Sequence, residues 1–177
     1  MKKVLVIAAS PRRNGNSDLL AQQFAKGAEE AGNNVEVVYL REYKINYCSG
    51  CLSCLKTGSC FQQDDANGLV RKFGEADAIC FASPVYYYSV CGQMKVFLDR
   101  LNALYGKMRD KDFYYMMTAE SSSHRQMDRA FDVFDGFADC FANIRRCGRV
   151  YGGGAADKGG VKNLPAYNEA YEMGKKV

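Results

Sequence analysis

The sequence predicts an α/β protein built on a doubly wound parallel sheet with helices on both faces. Three observations carry this prediction. Short apolar, β-branched runs alternate with segments of helical period along the whole chain. No repeat, low-complexity tract or linker divides the 177 residues, so they fit one domain, 1–177. Polar loops with glycine or proline follow the apolar runs, at the carboxyl ends of strands where such sheets bind ligands.

The elements follow in order. Lys3 to Ala9 reads as a buried strand. Ser17 to Gly32 is helical, with Leu19, Leu20, Phe24 and Ala28 on one face and Gly32 as the stop. Val35 to Leu40 is a second strand. A cysteine-rich irregular stretch occupies 41–63, long for a connection and therefore a functional or disordered segment. Asp64 or Asp65 caps a helix running through Phe73. Ala76 to Ala82 is a third strand, Ser89 to Leu104 a helix, and Phe113 to Ala119 a fourth strand. Arg125 to Ala142 is a long helix, Ile144 to Tyr151 a fifth strand, and a helix from Pro165 to Lys175 follows a glycine-rich loop.

Composition narrows the function. Apolar residues make up 47% and charged residues 25%, the balance of a globular chain. The net charge of +4 is scattered, so neither a nucleic-acid nor a membrane partner is expected. The opening Met1-Lys2-Lys3 and a six-residue apolar run fall short of a signal peptide's core of about 7–15 residues, and the expectation is a cytoplasmic protein. One histidine, His124, stands in a polar run and reads as a helix-start or surface residue, which leaves no multi-histidine metal site. Eight cysteines in a reducing compartment are thiols or metal ligands rather than bridges. Four cluster at 48–60, and Cys80, Cys91, Cys140 and Cys147 lie in segments that read as core.

The loop Ser10-Pro11-Arg12-Arg13-Asn14-Gly15-Asn16-Ser17 leads into the first helix. Free amides and partial positive charge at a helix N-terminus favour an anion. Ser10, Asn14, Asn16 and Ser17 add hydroxyl and amide groups, and Arg12 a charge-assisted donor. Neither a dinucleotide fingerprint nor a P-loop is present, so a monophosphate such as that of FMN suits the loop. The same residues also suit a plain polar turn with Ser17 as its N-cap.

Ser-Pro-Arg-x-Asn-Gly-Asn-Ser after the first strand resembles the NAD(P)H-dependent FMN reductase family of flavodoxin-like proteins. The resemblance continues at Ser83-Pro84-Val85-Tyr86-Tyr87 and at Lys95-Val96-Phe97-Leu98-Asp99-Arg100, and fades after about Tyr151. It implies a five-stranded sheet in the order 2-1-3-4-5, FMN as cofactor and NAD(P)H as hydride donor. It also implies that Pro84, Val85, Tyr86 and Tyr87 hold the flavin ring, with the loop Ala119-Glu120-Ser121 beside it by topology. Ala9 stands where the family often has glycine, and Asp18 must point away from a bound phosphate.

The spacing Cys48-x2-Cys51-x2-Cys54-x5-Cys60 suits three corners of a cubane cluster with a fourth ligand nearby. It resembles the iron–sulfur flavoprotein branch of the same family, which implies a [4Fe-4S] site. Free thiols or a labile disulfide are the competing readings. The functional expectation is an FMN-dependent NAD(P)H oxidoreductase that passes electrons to a small-molecule or protein acceptor. A flavodoxin-like carrier and a redox or metal sensor are the alternatives. The aromatic surface at Tyr86 to Tyr88 predicts a homodimer or tetramer.

Overall fold

The computed structural model describes all of residues 1–177. The strands are β1 (Lys3–Ala8), β2 (Asn34–Tyr39), β3 (Ala78–Tyr86), β4 (Ser89–Val90), β5 (Arg109–Ala119) and β6 (Ala142–Gly153). The helices are α1 (Asn16–Glu30), α2 (Ser53–Thr57), α3 (Ala66–Glu75), α4 (Gly92–Arg100), α5 (His124–Asp139) and α6 (Pro165–Gly174). The main sheet runs β2-β1-β3-β5-β6 with every pair parallel. Counting only these five strands, the order is the expected 2-1-3-4-5.

Two elements depart from the sequence reading, and one is the short helix α2, which forms inside the stretch read as irregular. Ser89 and Val90 start no helix; they fold back on β3, pairing Val85 with Val90 and Tyr86 with Ser89. The two-residue turn between them is Tyr87-Tyr88, with φ of 48° and 60°. Positive φ at both turn positions is the type I′ geometry, whose twist matches that of the strands. Helix α4 therefore begins at Gly92, after this hairpin.

Side-chain alternation splits the core into two layers. On β3, Ile79 and Phe81 face α3, α4 and α5, while Ala78, Cys80 and Ala82 face α1 and α6. On β5, Phe113, Tyr115 and Met117 join the first layer and Tyr114 and Met116 the second. The first layer is an aromatic cluster, with Phe81 within 4.9 to 6.1 Å of Phe73, Phe113, Tyr115, Phe134 and Phe137. The second admits a close helix pair. A Cβ on Gly27 would lie 2.2 Å from the Tyr171 carbonyl oxygen, and one on Gly174 2.1 Å from that of Phe24. Only glycine permits this approach of α1 and α6.

Two cysteines expected in the core are elsewhere. Cys80 and Cys91 are buried, but Cys140 and Cys147 are exposed. Cys140 follows the last turn of α5, and Cys147 lies on β6, the edge strand, whose outer positions face solvent. No helix is long and apolar enough to cross a membrane.

Candidate functional site

All five main strands point their carboxyl ends to one edge, and a hollow of about 280 Å3 opens there. Three walls were expected. Ser10, Arg12, Asn16 and Ser17 line it from the loop after β1, Pro84, Val85 and Tyr86 from the end of β3, and Ala119 and Glu120 from the end of β5. Tyr87 and Ser121 line an adjoining hollow that shares Val85, Ala119 and Glu120. Asn14 lines neither. It sits in the left-handed region at φ 53° and donates its amide to Asp18 Oδ2 at 3.0 Å, which makes it a turn residue.

The first wall is shaped to hold an anion. The amides of Asn16, Ser17 and Asp18 are free at the start of α1, as the first amides of a helix are. The Ser17 hydroxyl is 1% exposed and has no partner. A buried hydroxyl without a partner costs roughly 1–3 kcal/mol, so an acceptor at this spot is favoured. Gly15 lets the loop close tightly on itself: a Cβ there would lie 2.8 Å from Ser10 Oγ and 3.1 Å from the Arg12 carbonyl oxygen. Ser10 Oγ accepts from the Arg12 amide at 3.1 Å and donates to the Arg12 carbonyl at 3.0 Å, which fixes the loop's shape.

Asp18, the acid beside this wall, faces away. Its carboxylate pairs with Arg41 at 2.8 Å in the interior. Burial pushes the Asp18 carboxyl above the usual aspartate range, and the Arg41 guanidinium and the Asn14 amide pull against that. The sequence requirement that Asp18 point away is thus met by a partner 23 residues downstream.

The second wall is pinned from below. The Ser83 hydroxyl accepts from the Cys91 amide at 3.1 Å and donates to the Pro84 carbonyl at 2.9 Å. The Cys91 thiol donates to the Ala9 carbonyl at 3.2 Å. These bonds tie the ends of β1 and β3 to the start of α4, so Cys91 is a structural thiol.

A fourth wall was missed. Ala155, Ala156 and Lys158 form it, while Gly15 and Thr118 add to the first and third walls. The first three follow β6, at the carboxyl end of a strand on the same edge. The glycine-rich run Gly152-Gly153-Gly154 was a usable signal for it. Gly153 is required there because a Cβ would lie 2.7 Å from the Ser121 carbonyl oxygen. Asn16 points its side chain into this segment. Its Nδ2 donates to the carbonyls of Ala155 and Asp157, at 2.9 and 2.8 Å. Only the Asn16 backbone amide is left for a ligand.

FMN fits this lining: free amides and a partnerless hydroxyl suit its phosphate, and the β3 and β5 loops offer a flat, partly apolar bed for its ring. A preformed cluster does not fit the cysteine loop as folded. No three His, Cys, Asp or Glu side chains stand together as a metal site. Cys51 pairs with the Ser53 hydroxyl at 3.2 Å, Cys54 accepts from Asn102 Nδ2 at 3.5 Å, and Cys48 accepts from the Gly50 amide at 3.4 Å. Cys60 lies instead toward Arg100. The loop is held at its neck, where Arg100 donates to Asp64 at 2.6 Å and to the Asn46 carbonyl at 2.8 Å.

Comparison with known proteins agrees with this arrangement. An iron–sulfur flavoprotein of Archaeoglobus fulgidus is 46% identical over 99 residues, 56% of this chain and 45% of the relative. One from Methanocaldococcus jannaschii is 37% identical over 102 residues, 58% of this chain and 53% of the relative. The chain thus spans about half the length of the curated relatives it matches. An azoreductase from Bacillus anthracis has the same fold, with a TM-score of 0.75 over all of both chains at 17% identity. The model of the NADPH-dependent FMN reductase family matches residues 2–141. With three of the four walls of the hollow inside that match, this chain belongs to the NADPH-dependent FMN reductase family.

Proposed function

We propose that the protein is an FMN-dependent NAD(P)H oxidoreductase that passes electrons on to a separate acceptor. The observation that carries this reading is the partnerless, buried Ser17 hydroxyl beside three free amides in a hollow whose other walls are the β3 and β5 loops. Membership of the family supports it, as does its similarity to iron–sulfur flavoproteins. When bound, FMN accepts a hydride from the nicotinamide and releases electrons singly or in pairs; the cofactor carries this chemistry.

The chain's own residues bind and orient. Ser10, Arg12 and the first amides of α1 would take the phosphate. Pro84 has no amide proton, so the ring's polar edge would be left to backbone groups of the residues that follow it. Thr118, Ala119 and Glu120 close the opposite side. No side chain is required as acid or base for hydride transfer, which agrees with the position of the one histidine. His124 begins α5 and stacks on Tyr151 at 4.2 Å. The adjoining hollow beside Tyr87, Tyr88, Gln126 and Met127 leaves room for a donor or acceptor ring.

We also infer a dimer or tetramer. Tyr86, Tyr87 and Tyr88 are exposed side by side at one hairpin, and this aromatic surface supports the inference. Light scattering that gave only the 19.7 kDa mass of one chain would contradict this.

The test of the main reading has two steps. Heat release of bound flavin and chromatography should identify FMN. Anaerobic NADH or NADPH should then bleach its absorption rapidly. Bleaching only by dithionite would favour a carrier, and no flavin affinity at all would remove the reading.

A further inference from the structure

The segment after β6 lies outside the family match, which ends at residue 141, yet it forms the fourth wall of the hollow. We propose that Lys158 in this segment is a second cation for the flavin phosphate, held in place by Asn16 as a positioning residue. This inference rests on the FMN reading above and adds a phosphate ligand to it.

The first observation is the use made of Asn16. A side-chain amide has two N–H donors and two acceptor lone pairs. Here all four are taken by one loop. Nδ2 donates to the carbonyls of Ala155 (2.9 Å) and Asp157 (2.8 Å). Oδ1 accepts from the amides of Gly159 (2.9 Å) and Val161 (3.3 Å). A loop bonded at four points across the residue in question is fixed around Lys158. Gly154 and Gly159, at φ of 87° and 88°, supply the backbone bends on either side.

The second observation is charge. Arg13 turns away to Glu42 at 2.8 Å. Arg12 and Lys158 both line the hollow, and neither joins an ion pair within the chain. They line the same hollow as the α1 N-terminus, whose free amides and buried Ser17 hydroxyl already call for an acceptor. Of the acids near that terminus, Asp18 is turned inward and paired with Arg41, while Glu120 stands on the β5 wall and Asp157 precedes Lys158 in the loop. A phosphate monoester carries close to two negative charges at neutral pH, and two unpaired cations answer that charge.

The third observation is the coupling. Asn16 is the first residue of α1, so its backbone amide faces the anion while its side chain holds the loop that carries Lys158. One residue therefore links two walls that are about 140 residues apart in sequence.

A phosphate monoester is shared by FMN and by the 2′-phosphate of NADPH, and the experiment separates them. Apoprotein is titrated with FMN and with riboflavin, which lacks the phosphate, at several salt concentrations. Wild type, Lys158→Ala, Lys158→Arg and Asn16→Ala are compared. Lys158→Ala should weaken FMN tenfold or more, flatten its salt dependence and leave riboflavin within twofold, while Lys158→Arg restores FMN. Asn16→Ala should weaken FMN at least as much and speed amide exchange at 155–161. Equal FMN affinity in Lys158→Ala and wild type would overturn the proposal, as would equal losses for FMN and riboflavin. So would a change confined to the KM for NADPH against NADH. A wild-type protein that bound neither flavin would instead remove the FMN reading itself.

Discussion

The Arg41 guanidinium lies 2.8 Å from the Asp18 carboxylate, and the Asp18 side chain is wholly buried in the first turn of α1. An acid in that turn suits the helix dipole, but here it also sits behind the wall proposed for the phosphate. Arg41 keeps its charge from acting on that wall. Arg41→Met should cost about 3–5 kcal/mol, because it leaves a buried charge without its partner. It should also weaken FMN binding. Asp18→Asn added to it should recover most of both, as urea unfolding and flavin titration would show.

The neck of the cysteine loop gives a pH dependence. Burial pushes the Asp64 carboxyl up, but the Arg100 guanidinium and the amides of Asn46 and Ala66 outweigh it, and the group titrates below the ordinary 3.8. A depressed aspartate contributes stability that is present above the unfolded value and lost as pH falls through the folded one. Acid unfolding of wild type should therefore steepen below about pH 3.8. Asp64→Asn should show a shallower acid dependence, lower stability at pH 7, and faster proteolysis within 46–64. An unchanged cleavage rate would mean that the neck does not hold the loop.

Gly15 offers a steric test of the anion wall. A Cβ there would meet Ser10 Oγ at 2.8 Å. Gly15 has φ −70°, which alanine adopts freely, so no backbone strain confuses the result. Gly15→Ala should shift Ser10, lower FMN affinity tenfold or more, and change the melting temperature of the apoprotein little. An FMN affinity equal to wild type would place the phosphate elsewhere.

The hairpin at Tyr87-Tyr88 is strained. Left-handed φ costs a residue with a Cβ roughly 1–2 kcal/mol, less for asparagine. Tyr87 is fully exposed, so little packing offsets that cost. Tyr87→Asn should stabilise the protein by roughly 1 kcal/mol. Denaturant unfolding would reveal it, and a loss of stability would mean that the Tyr87 ring has a partner in solution, as a dimer would provide.

Thiol labelling should follow burial in the metal-free protein. Cys48, Cys51, Cys140 and Cys147 are exposed, and Cys80 and Cys91 are buried with thiols that burial pushes above their ordinary range. A short pulse of alkylating reagent followed by peptide mass spectrometry should modify the first four and spare the last two until unfolding. Early labelling of Cys91 would undo its assignment as the knot between β1, β3 and α4.

The sequence by itself determined the parallel α/β architecture and pointed to three of the loops that line the candidate hollow. Period-2 and period-3.6 patterns are local, and ligand loops follow strands at fixed topological positions, so Ser10 to Ser17, Pro84 to Tyr86 and Ala119 to Glu120 were legible. The cysteine spacing was legible as chemistry but not as geometry. Only the fold shows Cys54 drawn to Asn102 and Cys60 toward Arg100. Tertiary structure alone decided three further points. It gave Asn16 to the loop after β6 rather than to a ligand, paired Asp18 with Arg41, and turned Ser89-Val90 into a strand. Each depends on contacts that local patterns do not encode. Asn16 and Ala155 are 139 residues apart, and their hydrogen bond exists only because a parallel sheet brings the carboxyl ends of β1 and β6 to the same edge.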